Sequence, residues 1–135
     1  MEKYIDKKNH NHDGCFGCSE NNPKGLSLKF TQKGEFVESR WNPDDCYQGM
    51  SGRLHGGIQA LLIDEVAWWT AKTIHGTSGV TARMKIRYRK PADLGQTFII
   101  RGKLKEVIRN LAIIEVKILT EQEMLITEAQ VEFFS

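Results

Sequence analysis

The 135-residue sequence predicts an α+β fold, a single domain over 1–135 in which about six antiparallel strands accompany one long helix. Three observations carry this. The run Ile58–Ile74 is apolar nearly all round, with Gln59, Asp64, Glu65, Thr70, Lys72 and Thr73 as its few polar residues, which is the pattern of a central buried helix. From Thr81 to Lys90 the residues alternate with the period of two that marks a strand. The elements run two strands, one helix, four strands. One helix cannot cover a sheet of that size unless the sheet wraps around it or pairs with another copy.

Each element follows from local chemistry. Residues 1–25 are polar and turn-rich, and "SENNPKG" marks a loop at their end. Strands are expected at Leu26–Thr31 and Glu35–Trp41, split by Lys33-Gly34. Asn42–Gly52 is loop by composition, and His75–Gly79 is a glycine-rich turn that closes the helix. In the strand Thr81–Lys90, strict alternation puts Thr81, Arg83, Lys85, Arg87 and Arg89 on one face and Ala82, Met84, Ile86 and Tyr88 on the other. Pro91 ends it because proline cannot donate to a ladder. Strands at Thr97–Val107, Leu111–Thr120 and Leu125–Phe134 complete the sheet, with tight connections at 108–110 and 121–123.

Composition excludes several classes. With 40% hydrophobic and 27% charged residues the chain is neither disordered nor membranous, and no apolar run approaches the roughly 20 residues of a membrane span. A net charge of +2 argues for neither a nucleic-acid nor a membrane partner. The charged N-terminus does not read as a signal peptide, so a cytoplasmic location with three reduced cysteines is expected.

Candidate chemistry sits on the helix. At helical spacing Asp64 is surrounded by Ala60, Leu61, Ala67, Trp68 and Ala71, so its carboxylate lies on an apolar stripe with room beside it. Such a group is either paired and fixes the helix, or does chemistry with a raised pKa. Glu65 instead shares its side with Lys72, toward solvent. The helix opens on His55-Gly56-Gly57. Glycines there are either a plain turn or a place where a ligand oxygen approaches free N–H groups at a positive helix end. Asp64 lies about 12 Å along the axis from Gly56, at 1.5 Å per residue, so one helix cannot bring both to a single carbonyl.

Three segments carry a resemblance: "YQGMSGRLHGGIQALLIDE", "GVTARMKIRYRKPADLG" and "CFGCSENNPKGLSL". In this order and spacing the chain resembles the PaaI-like acyl-CoA thioesterases of the hotdog-fold superfamily. The resemblance implies a curved antiparallel sheet wrapped around the long helix, assembly as a homodimer or homotetramer, and active sites between subunits. It implies hydrolysis of an acyl-CoA to free acid and coenzyme A without a metal or other cofactor. It assigns Asp64 as nucleophile or general base, the Gly56 N–H as the group polarising the thioester carbonyl, Thr81 as a hydroxyl holding water, and His55 as the residue orienting the loop. Gly57, Tyr88 and the turn Val107–Arg109 fall where relatives meet the substrate. Some relatives carry an asparagine where this chain has Gly49, and Gln48 beside it is the substitute. Leu61 and Trp68 are the expected acyl contacts. The alternative is a non-catalytic module that binds acyl-CoA as a sensor; a dehydratase of the same superfamily fits the Asp64 spacing less well.

Arg83, Lys85, Arg87 and Arg89 form either a solvated outer face or, with Lys90, a contact for coenzyme A phosphates. Nucleic acid fits poorly, because no aromatics interleave with the basic residues. His10, His12, Cys15 and Cys18 have the donor types of a zinc site, but one Cys pair and two histidines in a polar tail are a weak pattern, and no metal is expected. Of the adjacent Trp68 and Trp69, at least one packs in the core.

Overall fold

The computed structural model describes residues 2–7, 14–76 and 79–134. Strands β1 (Glu2–Tyr4), β2 (Thr31–Lys33) and β3 (Phe36–Trp41) precede helix α1 (Gly56–Thr70), which continues as a wider π turn over Ala71–His75. Strands β4 (Val80–Tyr88), β5 (Phe98–Ile108), β6 (Leu111–Thr120) and β7 (Leu125–Phe134) follow. They form one antiparallel sheet in the order β1-β2-β3-β5-β6-β7-β4. The fold class is the expected one, with seven strands among the described residues rather than about six. The additional strand is β1, whose Glu-Lys-Tyr has no apolar alternation; it pairs with β2, where Lys33 Nζ lies 3.3 Å from Glu2.

Two boundaries moved for physical reasons. Leu26, Leu28 and Phe30 alternate and are buried, yet regular pairing begins only at Thr31. Ser27 has φ +52°, which breaks the extended run, and the Leu26 and Leu28 amides donate to the Phe16 and Gly17 carbonyls instead of to a ladder. The first turn of the helix includes Gly56 and Gly57, because His55 caps it; its end is set by Gly76 at φ +90°.

Helix α1 crosses the inner face of the sheet against β3, β5 and β6. Leu62, Ile63 and Val66 pack on Phe98, Ile100, Ile114, Val116, Val131 and Phe133. Each fully buried side chain of this kind contributes about 1.5–3 kcal/mol. Gly102 permits the closest approach, since a β-carbon there would collide with the Thr70 hydroxyl. No helix among the described residues is long and apolar enough to cross a membrane.

The ladders are interrupted between Thr81 and Arg83, Leu104 and Glu106, and Ile118 and Leu119. Such bulges bend and twist a sheet. The first one corrects the strict alternation expected for β4. Thr81 pairs with buried Phe133, whereas Arg83 pairs with Glu132 on the outer face, and Ala82 is the extra residue. Thr81 therefore leaves the basic stripe and shares the inner face with Met84, Ile86 and Tyr88.

Candidate active site

At the N-terminal end of α1 the chain makes a short turn, and His55 accepts the Gly57 N–H on its Nδ1 at 2.8 Å. That bond satisfies one of the free amides of the first helical turn and occupies Gly57. Gly56 begins the helix and its N–H has no carbonyl one turn back to bond. Its carbonyl accepts the Tyr88 hydroxyl at 2.8 Å, which fastens the helix start to the end of β4. Gln48 accepts the Gly52 N–H at 3.1 Å and so braces the loop before the helix. The missing asparagine position fits this loop tightly, because a β-carbon at Gly49 would lie 3.2 Å from His55 Cα.

A cleft of about 570 Å³ opens here, lined by Gly49, Arg53, His55, Gly56, Tyr88 and Lys90 among others. Two polar lining residues escaped the sequence reading. Arg53 pairs with Asp93 at 3.2 Å on the rim. Gln59, 4% exposed, accepts the Thr127 hydroxyl at 2.5 Å from inside the cleft. Its signal was present: a single amide in an apolar helix, three residues after Gly56 and so on the same face.

Asp64 lies about two turns further on. It is half-buried, and the Thr81 hydroxyl donates to its Oδ1 at 2.8 Å. Burial pushes its carboxyl above the ordinary value, and the Thr81 bond partly opposes that shift. The bulge in β4 is what aims Thr81 at the helix. Leu61 and Trp68 flank Asp64 at helical spacing and are half-buried; Trp68 Nε1 donates to the Gly79 carbonyl at 3.2 Å. Trp69 is the buried member of the tryptophan pair, against Phe30 at 5.5 Å.

The structure thus brings together His55, Gly56, Gly57 and Tyr88 in one group and Asp64 with Thr81 in another. It does not join the two. Along β4, Thr81 and Tyr88 are about 23 Å apart at 3.3 Å per residue. Arg109, at φ +56° in the β5–β6 turn, stands level with Val80 through the register Val80–Phe134–Leu111, far from the cleft. On the outer face Arg83 and Arg89 pair with Glu132 and Glu128 at 3.1 and 2.9 Å, so part of the basic stripe is internally neutralised. Glu65 does not reach toward solvent beside Lys72; its Oε1 accepts the Cys15 thiol at 3.2 Å. His10 and His12 lie outside the described residues.

Comparison with known proteins follows the same geometry. The sequence profile described as Thioesterase superfamily matches residues 51–127, from the loop before α1 into β7. Acyl-coenzyme A thioesterase 13 of Homo sapiens is 36% identical over 62 residues, which are 45% of this chain and 44% of that protein, so the chain spans less than half the length of this relative. A crystallised thioesterase superfamily protein superposes with a TM-score of 0.83 at 24% identity, covering 90% of this chain and 60% of the other. A hypothetical thioesterase protein from Streptococcus pneumoniae, crystallised with coenzyme A, gives a TM-score of 0.73 at 20% identity over 79% and 86% of the two chains. The helix wrapped in a curved antiparallel sheet is the hotdog fold of these structures. With its profile matched over more than half of its residues, this chain belongs to the thioesterase superfamily.

Proposed function

We propose that the chain is an acyl-CoA thioesterase, which hydrolyses a small or medium acyl-CoA, aliphatic or aryl, at sites shared between two copies of itself. The observation that carries this reading is the separation of a desolvated carboxylate, Asp64, from the free helix-start amide of Gly56 by about 12 Å of one helix. Each half is chemically incomplete alone. The open edge of β4 supplies the means of joining them. This nine-residue edge strand pairs only with β7 among the described residues, and Val80 at its end is 73% exposed. An exposed edge of that length is a template for a second strand. A twofold axis at Met84 sets Val80 of one copy opposite Tyr88 of the other. The Gly56 end of each copy then faces the Asp64 end of the other. Pairing of two such dimers into a tetramer is compatible with the same edge contact.

At such a site the Gly56 N–H receives the thioester oxygen. Asp64 takes a proton from water, whose oxygen bonds to the carbonyl carbon while Thr81 holds it. The carbon–sulfur bond then breaks, and the sulfur leaves as the coenzyme A thiol with the proton returned to it. Lys90 lines the rim of the cleft, and Arg109 joins it across the dimer; both suit the coenzyme A phosphates, whereas Arg53 and Arg89 beside them are already paired with Asp93 and Glu128. Acyl-coenzyme A thioesterase 13 and the coenzyme A-bound pneumococcal structure support this substrate class. Cys15, Cys18 and Cys46 are free thiols, which suits a cytoplasmic protein.

The test is thiol release from a panel of acetyl-, medium-chain and aryl-CoA esters. Saturable release with at least one ester is expected. Tight binding of the panel without any thiol release would make the chain a sensor and overturn the assignment.

A further inference from the structure

The contact between residues 15–18 and the middle of α1 is not used by the proposed catalysis. Cys15 and Cys18 come from one tight turn, closed by the Ser19 N–H to the Cys15 carbonyl at 3.0 Å. Glu65 comes from the helix, fifty residues later in the chain. One donor atom from each of the three lies within 4.8 Å of the others, and Cys15 Sγ is 3.2 Å from Glu65 Oε1. Cys18 is 1% exposed, while Cys15 and Glu65 are half-buried.

We propose that Cys15, Cys18 and Glu65 bind one zinc-class divalent cation, which staples the N-terminal segment to the helix that carries Asp64. A tetrahedral zinc with Zn–S near 2.3 Å holds its donors about 3.5–3.8 Å apart, so the present spacing closes with sub-ångström side-chain shifts. Two sulfurs and one carboxylate oxygen suit a borderline-soft ion better than calcium or magnesium. The fourth position is open to a further donor.

Two features beyond proximity support the site. Gly17, between the two cysteines, lies so close to Glu65 that a β-carbon there would collide with the carboxylate, so the turn is shaped to admit that group. The strand-like segment behind the turn is fixed by the Leu26 and Leu28 amides, which donate to the Phe16 and Gly17 carbonyls at 2.9 and 3.0 Å, and by Lys7, whose ammonium bonds the Cys18 and Leu28 carbonyls at 2.7 and 2.6 Å. Binding exchanges both thiol protons for the ion. The protons go to solvent, and three anionic ligands around a doubly charged cation leave one net negative charge.

The site is independent of the catalytic reading, and so is its test. The reduced full-length chain, stripped with a chelator, is titrated with Co²⁺ and then Zn²⁺. Expected are one equivalent per chain, a thiolate-to-cobalt charge-transfer band that zinc abolishes, and release of two protons. Zinc should shield Cys15 and Cys18 from a thiol reagent while exposed Cys46 still reacts. Cys15→Ser should lose the stoichiometric band and Cys46→Ser should keep it. Glu65→Gln, and Gly17→Ala through displacement of the carboxylate, should each weaken binding by about tenfold or more, the scale on which even outer partners of a metal act. No cobalt band in the wild-type chain, or a band unchanged in Cys15→Ser, overturns the proposal.

Discussion

At the start of α1 the group proposed to act is backbone: the Gly56 amide, held by the Tyr88 hydroxyl on the adjoining carbonyl and by the His55 cap on the next amide. Two turns on it is a side chain, Asp64, desolvated by apolar neighbours and held by one hydroxyl. The first site is a dipole that exists whenever the helix forms. The second exists only because tertiary packing strips water from a carboxylate and a bulge turns Thr81 inward. An amide donor is therefore insensitive to pH, whereas the carboxylate is not. The comparison teaches that one helix carries a donor end and a desolvated carboxylate about 12 Å apart, too far to meet one carbonyl within a single chain, which is why the proposed site needs a second copy.

The largest test removes the backbone donor alone. Proline is well placed at the first helical residue, and His55 already has the extended ψ of +134° that a following proline requires. A β-carbon at position 56 meets the Tyr88 ring at an ordinary 3.5 Å. Gly56→Pro should thus fold, with near wild-type circular dichroism and melting, yet lose about a hundred- to a thousandfold in kcat, as expected for one oxyanion donor. Full activity would mean that another donor polarises the carbonyl.

Asp64→Asn should lower kcat by about a hundredfold or more with the fold intact. Stability separates a catalytic from a structural carboxylate here. Burial raises the folded-state pKa, so the contribution of Asp64 to stability is greatest below the unfolded carboxylate pKa and is lost as pH rises through the folded value. The Asn variant should then unfold at pH 7 at or above the wild-type temperature. A marked fall in its melting temperature would identify Asp64 as a structural anchor.

Thr81→Val keeps shape but removes the hydroxyl. A hydrogen bond to a charged group is worth roughly 1.5 kcal/mol, so a loss of about tenfold in kcat/KM is expected. The bond lowers the Asp64 pKa, so the acid limb of the pH–rate profile should also move to higher pH. An unmoved limb would mean that Asp64 is not the titrating base.

The smallest effect lies at the substrate's charged end. Arg109→Ala should raise KM about two- to threefold for every acyl-CoA alike, and salt should erase the difference, as for an exposed charge. Resizing Leu61 or Trp68 should instead reorder the acyl preference. The reverse pattern, measured as kcat/KM over short, medium and aryl esters, would exchange the two ends of the site.

Legibility in the sequence followed locality. β6 and β7 match their expected bounds because each is a long alternating run between tight turns. The helix was legible from its apolar circumference, and the expected isolation of Gly56 from Asp64 from helical rise alone. The resemblance named Thr81, but its facing was not legible: alternation put it on the basic face, and a bulge is a one-residue pairing defect that the strand's own composition does not encode. The Glu65 environment was equally hidden, since its partner is fifty residues away in a segment that reads as polar loop. β1 lay beyond reach for the same reason, being held by its neighbour rather than by its own pattern.

The sharing of one site between two copies is tested most directly by mixing Gly56→Pro with Asp64→Asn, each inactive and each folded. Chains are allowed to re-pair, and thiol release is measured against either parent alone. In a mixed dimer one site has both defects and the other has neither. Random re-pairing should therefore restore roughly a quarter of wild-type activity per chain. A mixture that stays as inactive as its parents, although light scattering after exchange detects mixed dimers of differently tagged chains, would contradict a site built from two copies.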